Sequence, residues 1–389
     1  MKIGFLFNHD QLHQVAHSLP VAASLARLHP EHEIRLLATS AALEAEIARL
    51  QRRLGATVPV ERLELRHPLT RALAAALDGL LPIRKLGIYG DQLERFRALD
   101  ALVVAEKTSA ILHTRYRLDR LVLIHTRHGA GDRANGFNRA SARFDHVLAA
   151  GEKIRARLIA DAGVPADRIS VVGYPKFDLP PAPSLRERLF ADPSRPVVLY
   201  NPHPSPKLSS WYRDGRRVLD WFVANPHLNL IFAPHVMLFA RRAVLSIDPP
   251  GLALTGRIAR AVRDAPNIHV DLGSPSSTDM SYTNAADLYL GDVSSQVYEF
   301  LRTPRPCLFI DSHRTAWRDS RDYRHWQAGE VIEGAAALGP ALDRAFALHG
   351  DWRPAQERLF AASFDLTETP SSERAAEAVH RAALRGALP

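Results

Sequence analysis

Short apolar runs alternate with helical stretches almost from end to end of this 389-residue chain, and that alternation admits few folds. Strand, helix and strand in repeated succession build parallel sheets with helices on both faces. The first half carries strand-like runs at Lys2–Phe7, Glu33–Ala38, Ala101–Ala105, Leu121–Ile124, His146–Ala149 and Ile169–Val172. The second half restarts at Pro196–Asn201 and continues through Asn229–Ala233, Ile268–Asp271, Asp287–Leu290 and Cys307–Ile310. Between the two series lies Leu179-Pro180-Pro181-Ala182-Pro183-Ser184, which cannot continue a helix and reads as the hinge. The chain is also longer than a single core accommodates. The expected fold is α/β, with two Rossmann-like doubly wound domains facing a cleft, residues 1–178 and 185–370. A last helix, about Ser372 to Arg385 within 371–389, carries apolar residues at helical spacing and could pack back on the first domain. Ligands of such sheets bind beyond the carboxyl ends of the strands.

Composition narrows the function. The only cysteine, Cys307, rules out an internal disulfide and a cysteine zinc cluster and fits a reducing compartment. The opening run, Met1 to Phe7, is broken by Asn8, His9 and Asp10, too short for a signal peptide or a membrane span. A cytoplasmic protein is expected. The net charge of +8 would suit nucleic acid, anionic lipid or phosphorylated substrates. The arginines are scattered, as in Arg52-Arg53, Arg216-Arg217 and Arg241-Arg242, and no nucleic-acid module accompanies them, so nucleic acid is not an expected partner. A solvated surface is the default reading and an anionic membrane surface the second, with Leu73–Lys85, where Leu80, Leu81 and Ile83 adjoin Arg84-Lys85, as its candidate contact.

Chemistry gathers just after the strand-like runs. The stretch from Leu288 to Leu301 is an apolar strand that stops at Asp292-Val293-Ser294-Ser295 and becomes a helix, the order that seats an anionic group on unpaired N–H donors. Taken alone, a serine capping that helix explains it as well. His125-Thr126-Arg127-His128-Gly129-Ala130-Gly131-Asp132-Arg133 follows another strand and combines glycines with a histidine able to move a proton near neutral pH. Tyr200-Asn201-Pro202-His203-Pro204-Ser205-Pro206-Lys207 is a stiff polar loop whose lysine suits a diphosphate, and Ala233-Pro234-His235 ends at the same edge. His9, His13 and His17 are spaced by four, but polar lining of the cleft explains them better than a metal.

In order, these residues resemble the CDP-glycerol glycerophosphotransferase family of teichoic-acid-type and capsule polymer enzymes, which adopt the GT-B fold. The resemblance rests on His128-Gly129, on Gly173-Tyr174-Pro175-Lys176-Phe177-Asp178, and on Tyr200-Asn201-Pro202. It continues in Pro234-His235 and in Asp292-Val293-Ser294-Ser295 leading to Tyr298-Glu299-Phe300, and spans about residues 120 to 311. His17-Ser18-Leu19-Pro20 is similar to the Gly-His-x-x-Pro helix opening of GT-B transferases, with Ala16 in place of the glycine. The chain departs from the family's His-Gly-Thr-Pro at Ala130-Gly131 and from its His-Pro at His235-Val236.

The resemblance implies a transferase that moves a glycerol-phosphate, polyol-phosphate or sugar unit from a nucleotide-diphosphate donor to a hydroxyl of a glycan or lipid-linked acceptor. Donor binding is expected from His203, Lys207, Asp292, Ser294, Ser295 and Glu299, and acceptor binding from Arg127, Gly129 and Arg133. His128 is the expected base, His17 its reserve, and His235 a stabiliser of charge on the leaving phosphate. No cofactor and no metal are expected, since no Asp-x-Asp pair occurs. Two alternatives stand beside this. One is a UDP-N-acetylglucosamine 2-epimerase-like enzyme, to whose His-x-Glu-Ala-Gly-x-Arg passage residues 127–133 are similar, with Arg127 and Gly129 replacing its histidine and glutamate. The other is a non-catalytic nucleotide-sugar-binding protein.

Overall fold

The computed structural model describes residues 1–9, 11–77, 83–180, 185–240, 242–247 and 250–386. The chain divides into two compact units: unit 1 comprises Met1–Ala130, Ala134–Pro180 and Ala361–Pro389, and unit 2 comprises Gly131–Arg133 and Pro181–Phe360. Of the proline-rich hinge segment, residues 181–184 lie outside the described residues.

The sheet of unit 1 contains β1 (Lys2–Phe7), β2 (Glu33–Ala38), β3 (Val60–Arg62), β4 (Ala101–Val104), β5 (Val122–His125), β6 (His146–Ala149) and β7 (Ile169–Val171). Their order is β3-β2-β1-β4-β5-β6-β7, and all pairings are parallel. Beyond Lys2, β1, β4 and β6 are buried on both faces, as a sheet covered on both sides requires, whereas β2 exposes Glu33 and Arg35. β5 runs one residue further than its apolar run, as His125 donates from Nε2 to the Ala105 carbonyl at 3.0 Å, which satisfies one of its two buried ring nitrogens. The helix Ser371–Gly386 packs on the helix Val15–Leu28. Its inner face is Ala375, Ala376, Val379, Ala382 and Ala383, small side chains that let two helices approach closely over the shared core. The start of this helix is fixed by Asp178, whose Oδ2 accepts from Ser372 N at 2.6 Å. Gly173 makes room for it: its φ is +80°, and a Cβ there would lie 2.3 Å from Ser371 Oγ and 2.8 Å from the Asp365 carbonyl oxygen.

Unit 2 contains β8 (Val197–Asn201), β9 (Asn229–Phe232), β10 (Ala243–Ile247), β11 (Pro250–Leu254), β12 (Ile268–Val270), β13 (Leu288–Gly291), β14 (Cys307–Ile310) and β15 (Glu330–Ile332). Six of these form a parallel sheet in the order β12-β9-β8-β13-β14-β15, and β10 and β11 pair as a separate antiparallel hairpin. Asp287 precedes β13 instead of opening it, because its carboxylate accepts from Val197 N at 2.8 Å at the start of the neighbouring strand. β3, β15 and the hairpin have no counterpart in the apolar pattern; β3 and β15 are edge strands held by one neighbour each.

In both sheets the connections reverse direction once, between β1 and β4 in unit 1 and between β8 and β13 in unit 2. Such switch points leave an opening beyond the carboxyl ends of the two strands.

Candidate functional site

At the switch point of unit 2, β13 runs into Asp292, whose side chain is fully buried. Its Oδ1 accepts from His203 N at 2.9 Å and Val293 N at 2.6 Å, and its Oδ2 from Ser210 N at 2.6 Å and Ser210 Oγ at 2.8 Å. Four donors fill the lone-pair sites of a carboxylate. Asp292 therefore shapes the loop after β8 and offers nothing to a ligand. Complete burial pushes its pKa above the ordinary aspartate value, and the hydrogen bonds oppose that rise.

The loop so pinned presents His203, and the end of β9 presents His235, with ring centroids 6.2 Å apart. His203 Nδ1 accepts from Ser205 N at 3.0 Å, and His235 Nδ1 accepts from Met237 N at 3.3 Å. An Nδ1 that accepts leaves the ring hydrogen on Nε2, so both rings are held as Nε2–H donors. Burial pushes the His203 pKa down to about 3, helped by His235 and Arg133, and the His235 pKa down to about 4. Both are neutral at pH 7. Lys207, in the same loop, is exposed.

The two serines differ. Ser294 is buried and its Oγ accepts from Gln296 N at 3.3 Å, just before the short helix Gln296–Phe300, whose N-cap position is Ser295. Ser295 is exposed, against Gly131, where an added Cβ would lie 2.9 Å from Ser295 Cβ. Glu299 is buried in that helix. Sequence reasoning passed over the clamp behind these residues. Asp132 Oδ2 accepts from Tyr298 OH at 2.7 Å and from His325 Nδ1 at 3.0 Å, while His325 Nε2 and Trp326 Nε1 reach the Asp292 carbonyl at 3.1 and 2.6 Å. Asp132 and its partners stand 166 and 193 positions apart, so no local pattern signals them. Arg133, expected on the first domain, belongs to unit 2 and lies over the Tyr323 ring at 5.9 Å.

In unit 1, His17, Thr126, Arg127, His128, Gly129, Gly173 and Tyr174 line one pocket. His128 keeps an exposed face, and its Nδ1 lies 3.3 Å from the Ala105 carbonyl, which can only accept. Its hydrogen is therefore on Nδ1 and its lone pair on Nε2, the form a base needs. Crowding by the protein lowers the His128 pKa, against the attraction of Glu106. His17, buried edge-on to Tyr174 at 5.2 Å, is pushed well below the ordinary histidine value by burial and by Lys176. The Arg127 guanidinium is turned inward, 4.7 Å over the Phe137 ring and 2.9 Å from the Gly136 carbonyl, and burial lowers its pKa to about 10.

The unit 1 switch point is occupied by a charge cluster that the sequence did not reveal. Glu106, just after β4, lies 3.1 Å from Lys85 Nζ and 3.8 Å from His9 Nδ1. Lys85, offered as a contact for an anionic surface, is thus engaged inside the unit with its side chain 13 % exposed; Leu80 and Leu81 of that segment lie outside the described residues. Among the described residues, no helix is long and apolar enough to cross a membrane.

No family model matches this sequence, and no curated protein matches it. Solved structures do. The wall teichoic acid polymerase TagF, in a variant soaked with CDPG, is 12 % identical with a TM-score of 0.61, over 99 % of this chain and 89 % of that one. The UDP-GlcNAc 2-epimerase from Neisseria meningitidis bound to UDP-GlcNAc is 12 % identical with a TM-score of 0.60, over 99 % of this chain and 100 % of that one. A putative UDP-N-acetylglucosamine 2-epimerase from Listeria monocytogenes is 14 % identical with a TM-score of 0.57, over 98 % and 95 %. At these identities the likeness is one of fold, and the chain has the α/β architecture of the GT-B type, two doubly wound Rossmann-like sheets.

Proposed function

We propose that this chain is a transferase that moves a glycerol-phosphate, polyol-phosphate or sugar unit from a nucleotide-diphosphate donor to a hydroxyl of a glycan or lipid-linked acceptor. Unit 2 binds the donor. The observation that carries this reading is the pair His203 and His235, both fixed as neutral Nε2–H donors beside the switch point of the unit 2 sheet. Prepositioned N–H donors stabilise charge developing on a leaving phosphate without reorganising, and Lys207 adds a cation at the edge. Ser295 offers a hydroxyl to the same group. Unit 1 binds the acceptor, and His128 Nε2 takes the proton of its hydroxyl. A donor resembling those named for the solved relatives, CDPG or UDP-GlcNAc, is the first to try.

Thermal-shift and calorimetric titration with CDP-, UDP-, GDP- and CMP-linked donors finds the ligand, because a molecule bound only by the folded state raises the melting temperature. His203→Ala together with His235→Ala then weakens donor binding by about 1.5–3 kcal/mol for each lost bond to phosphate, with circular dichroism unchanged. His128→Ala lowers turnover by roughly 10²–10⁴ and leaves donor affinity alone. Collapse of donor affinity in His128→Ala with affinity intact in the double variant would reverse the assignment of the units. The fold supports the epimerase alternative equally, but Arg127 and Gly129 stand where that reading needs histidine and glutamate. Incubation with UDP-N-acetylglucosamine and inspection of carbon 2 by NMR separates the two. Donor hydrolysis without acceptor separates either from a non-catalytic binder.

A further inference from the structure

At the amino edge of the unit 1 sheet, the turn between the helix Val15–Leu28 and β2 brings three imidazoles and a carboxylate together. His29 caps that helix, Glu31 and His32 follow in the turn, and His380 reaches them from the helix Ser371–Gly386. One ligand atom from each of the four lies within 4.8 Å of every other. The ring centroids of His29 and His380, His32 and His380, and His29 and His32 are 3.8, 5.1 and 5.7 Å apart.

We propose that His29, Glu31, His32 and His380 bind a zinc ion that fastens the last helix to this edge of the sheet. A tetrahedral zinc with imidazole nitrogens at 2.0–2.1 Å holds its ligand atoms about 3.3 Å apart. Three of the six pairs lie near that value, His32 Nε2 to His380 Nδ1 at 2.8 Å, His29 Nδ1 to Glu31 Oε1 at 3.2 Å and His32 Nε2 to Glu31 Oε1 at 3.8 Å, and the stacked His29 and His380 rings must turn to aim both lone pairs at one ion. A second observation comes from outside the ligand set. His29 Nε2, the ring nitrogen turned away from Glu31, lies 2.9 Å from Glu377 Oε1. A carboxylate on the far nitrogen is the arrangement that fixes tautomer and orientation in metal-bound histidines. Glu377 and His380 are three apart on one helix and so share its face.

Three imidazoles with one carboxylate favour zinc, nickel or cobalt over magnesium or calcium, which prefer all-oxygen sets. Four protein ligands close the coordination sphere, so the ion is structural and takes no part in transfer chemistry. Its effect is mechanical. The helix that the ion would fasten carries Ala376, Val379 and Ala383 of the core it shares with the helix bearing His17. The His32–His380 link joins residues 348 positions apart in the chain.

The test uses the full chain, stripped with a chelator and titrated with Zn²⁺ by calorimetry, and with Co²⁺ followed in the visible spectrum. The parent is expected to take up one equivalent at this site, to show the bands of four-coordinate cobalt, and to melt at a higher temperature when zinc is added. His29→Ala with His380→Ala loses that equivalent and the zinc-dependent rise in melting. Glu377→Gln removes no ligand, and is expected to weaken zinc binding by roughly 10–100-fold. Melting of each variant without metal distinguishes loss of the site from loss of the fold. No bound equivalent in the parent, or an equivalent kept at full affinity by both variants, overturns the proposal.

Discussion

The two switch points occupy the same topological position and are built with opposite electrostatics. In unit 2 the carboxylate Asp292 is spent on backbone and hydroxyl donors, and the groups left facing outward are neutral imidazole N–H donors. In unit 1 the carboxylate Glu106 is held by the cation Lys85 and by His9, and the neighbouring His128 has its lone pair on Nε2. On the proposed reading, the first arrangement would offer fixed donors to an anion at little reorganisation cost, and the second a base in a field of balanced charge. The doubly wound sheet fixes where a site falls. What surrounds each carboxylate decides what the site offers.

The sharpest way to break the contrast is to remove Asp292. Asp292→Ala leaves the buried donors of His203, Ser210 and Val293 without their acceptor, and each unmade bond of a buried group costs about 1–3 kcal/mol. A loss of roughly 3–5 kcal/mol is expected in urea unfolding, with amide exchange rising first in residues 202–210. A loss below about 1 kcal/mol would mean that the loop does not depend on this carboxylate.

Glu106 gives the next largest effect, and it carries a pH signature. Burial alone would raise its pKa, but His9, 3.8 Å away, and the charge of Lys85 hold it down to about 2 from the usual 4.5. The folded value lies below the unfolded one, so the stabilisation is complete above about pH 4.5 and is lost as pH falls toward 2. The shift corresponds to roughly 3 kcal/mol at neutral pH. Glu106→Gln should therefore be less stable at pH 7 by about 2–3 kcal/mol and show a flatter acid limb between about pH 4.5 and 2. Parallel acid limbs for variant and parent would dissolve the ion pair as the feature that distinguishes unit 1.

The inner strands of both sheets are legible in the sequence because an apolar run buried on two faces has no other comfortable fate. Lys2–Phe7, Glu33–Ala38, His146–Ala149 and Cys307–Ile310 appear with the ends the pattern implies. The edge strands Val60–Arg62 and Glu330–Ile332 do not, since half-solvated residues such as Glu61 and Glu330 carry no signal of the neighbour that recruits them. The strand-end rule brought out His203, His235, His128 and Asp292, but not the direction each faces. Asp292 turns inward to the loop and Arg127 inward to Phe137, and those choices depend on residues far away in the chain. Part of the passage Gly173 to Asp178 serves to dock the last helix through Gly173 and Asp178, a role that motif order does not disclose.

The smallest effect, from Lys207, separates a fixed site from a diffuse attraction. Lys207 is exposed, in a loop tied at His203 and Ser210 to Asp292 and stiffened by Pro204 and Pro206. Because its side chain stands in solvent, Lys207→Ala should change folding stability by no more than about 0.5 kcal/mol. On the proposed reading its charge meets the donor's diphosphate, and an exposed pair of this kind contributes about 0.2–1 kcal/mol and is screened by salt. Donor affinity measured by calorimetry is therefore expected to fall up to about fivefold at low ionic strength, with the gap to the parent closing near 1 M salt. The loss in the His203→Ala, His235→Ala variant should persist across the same range, because both rings are half-buried and neutral, so salt does not screen their bonds. Equal affinity for parent and Lys207→Ala at low salt would remove the lysine from the donor site and leave the two imidazoles to hold the phosphate.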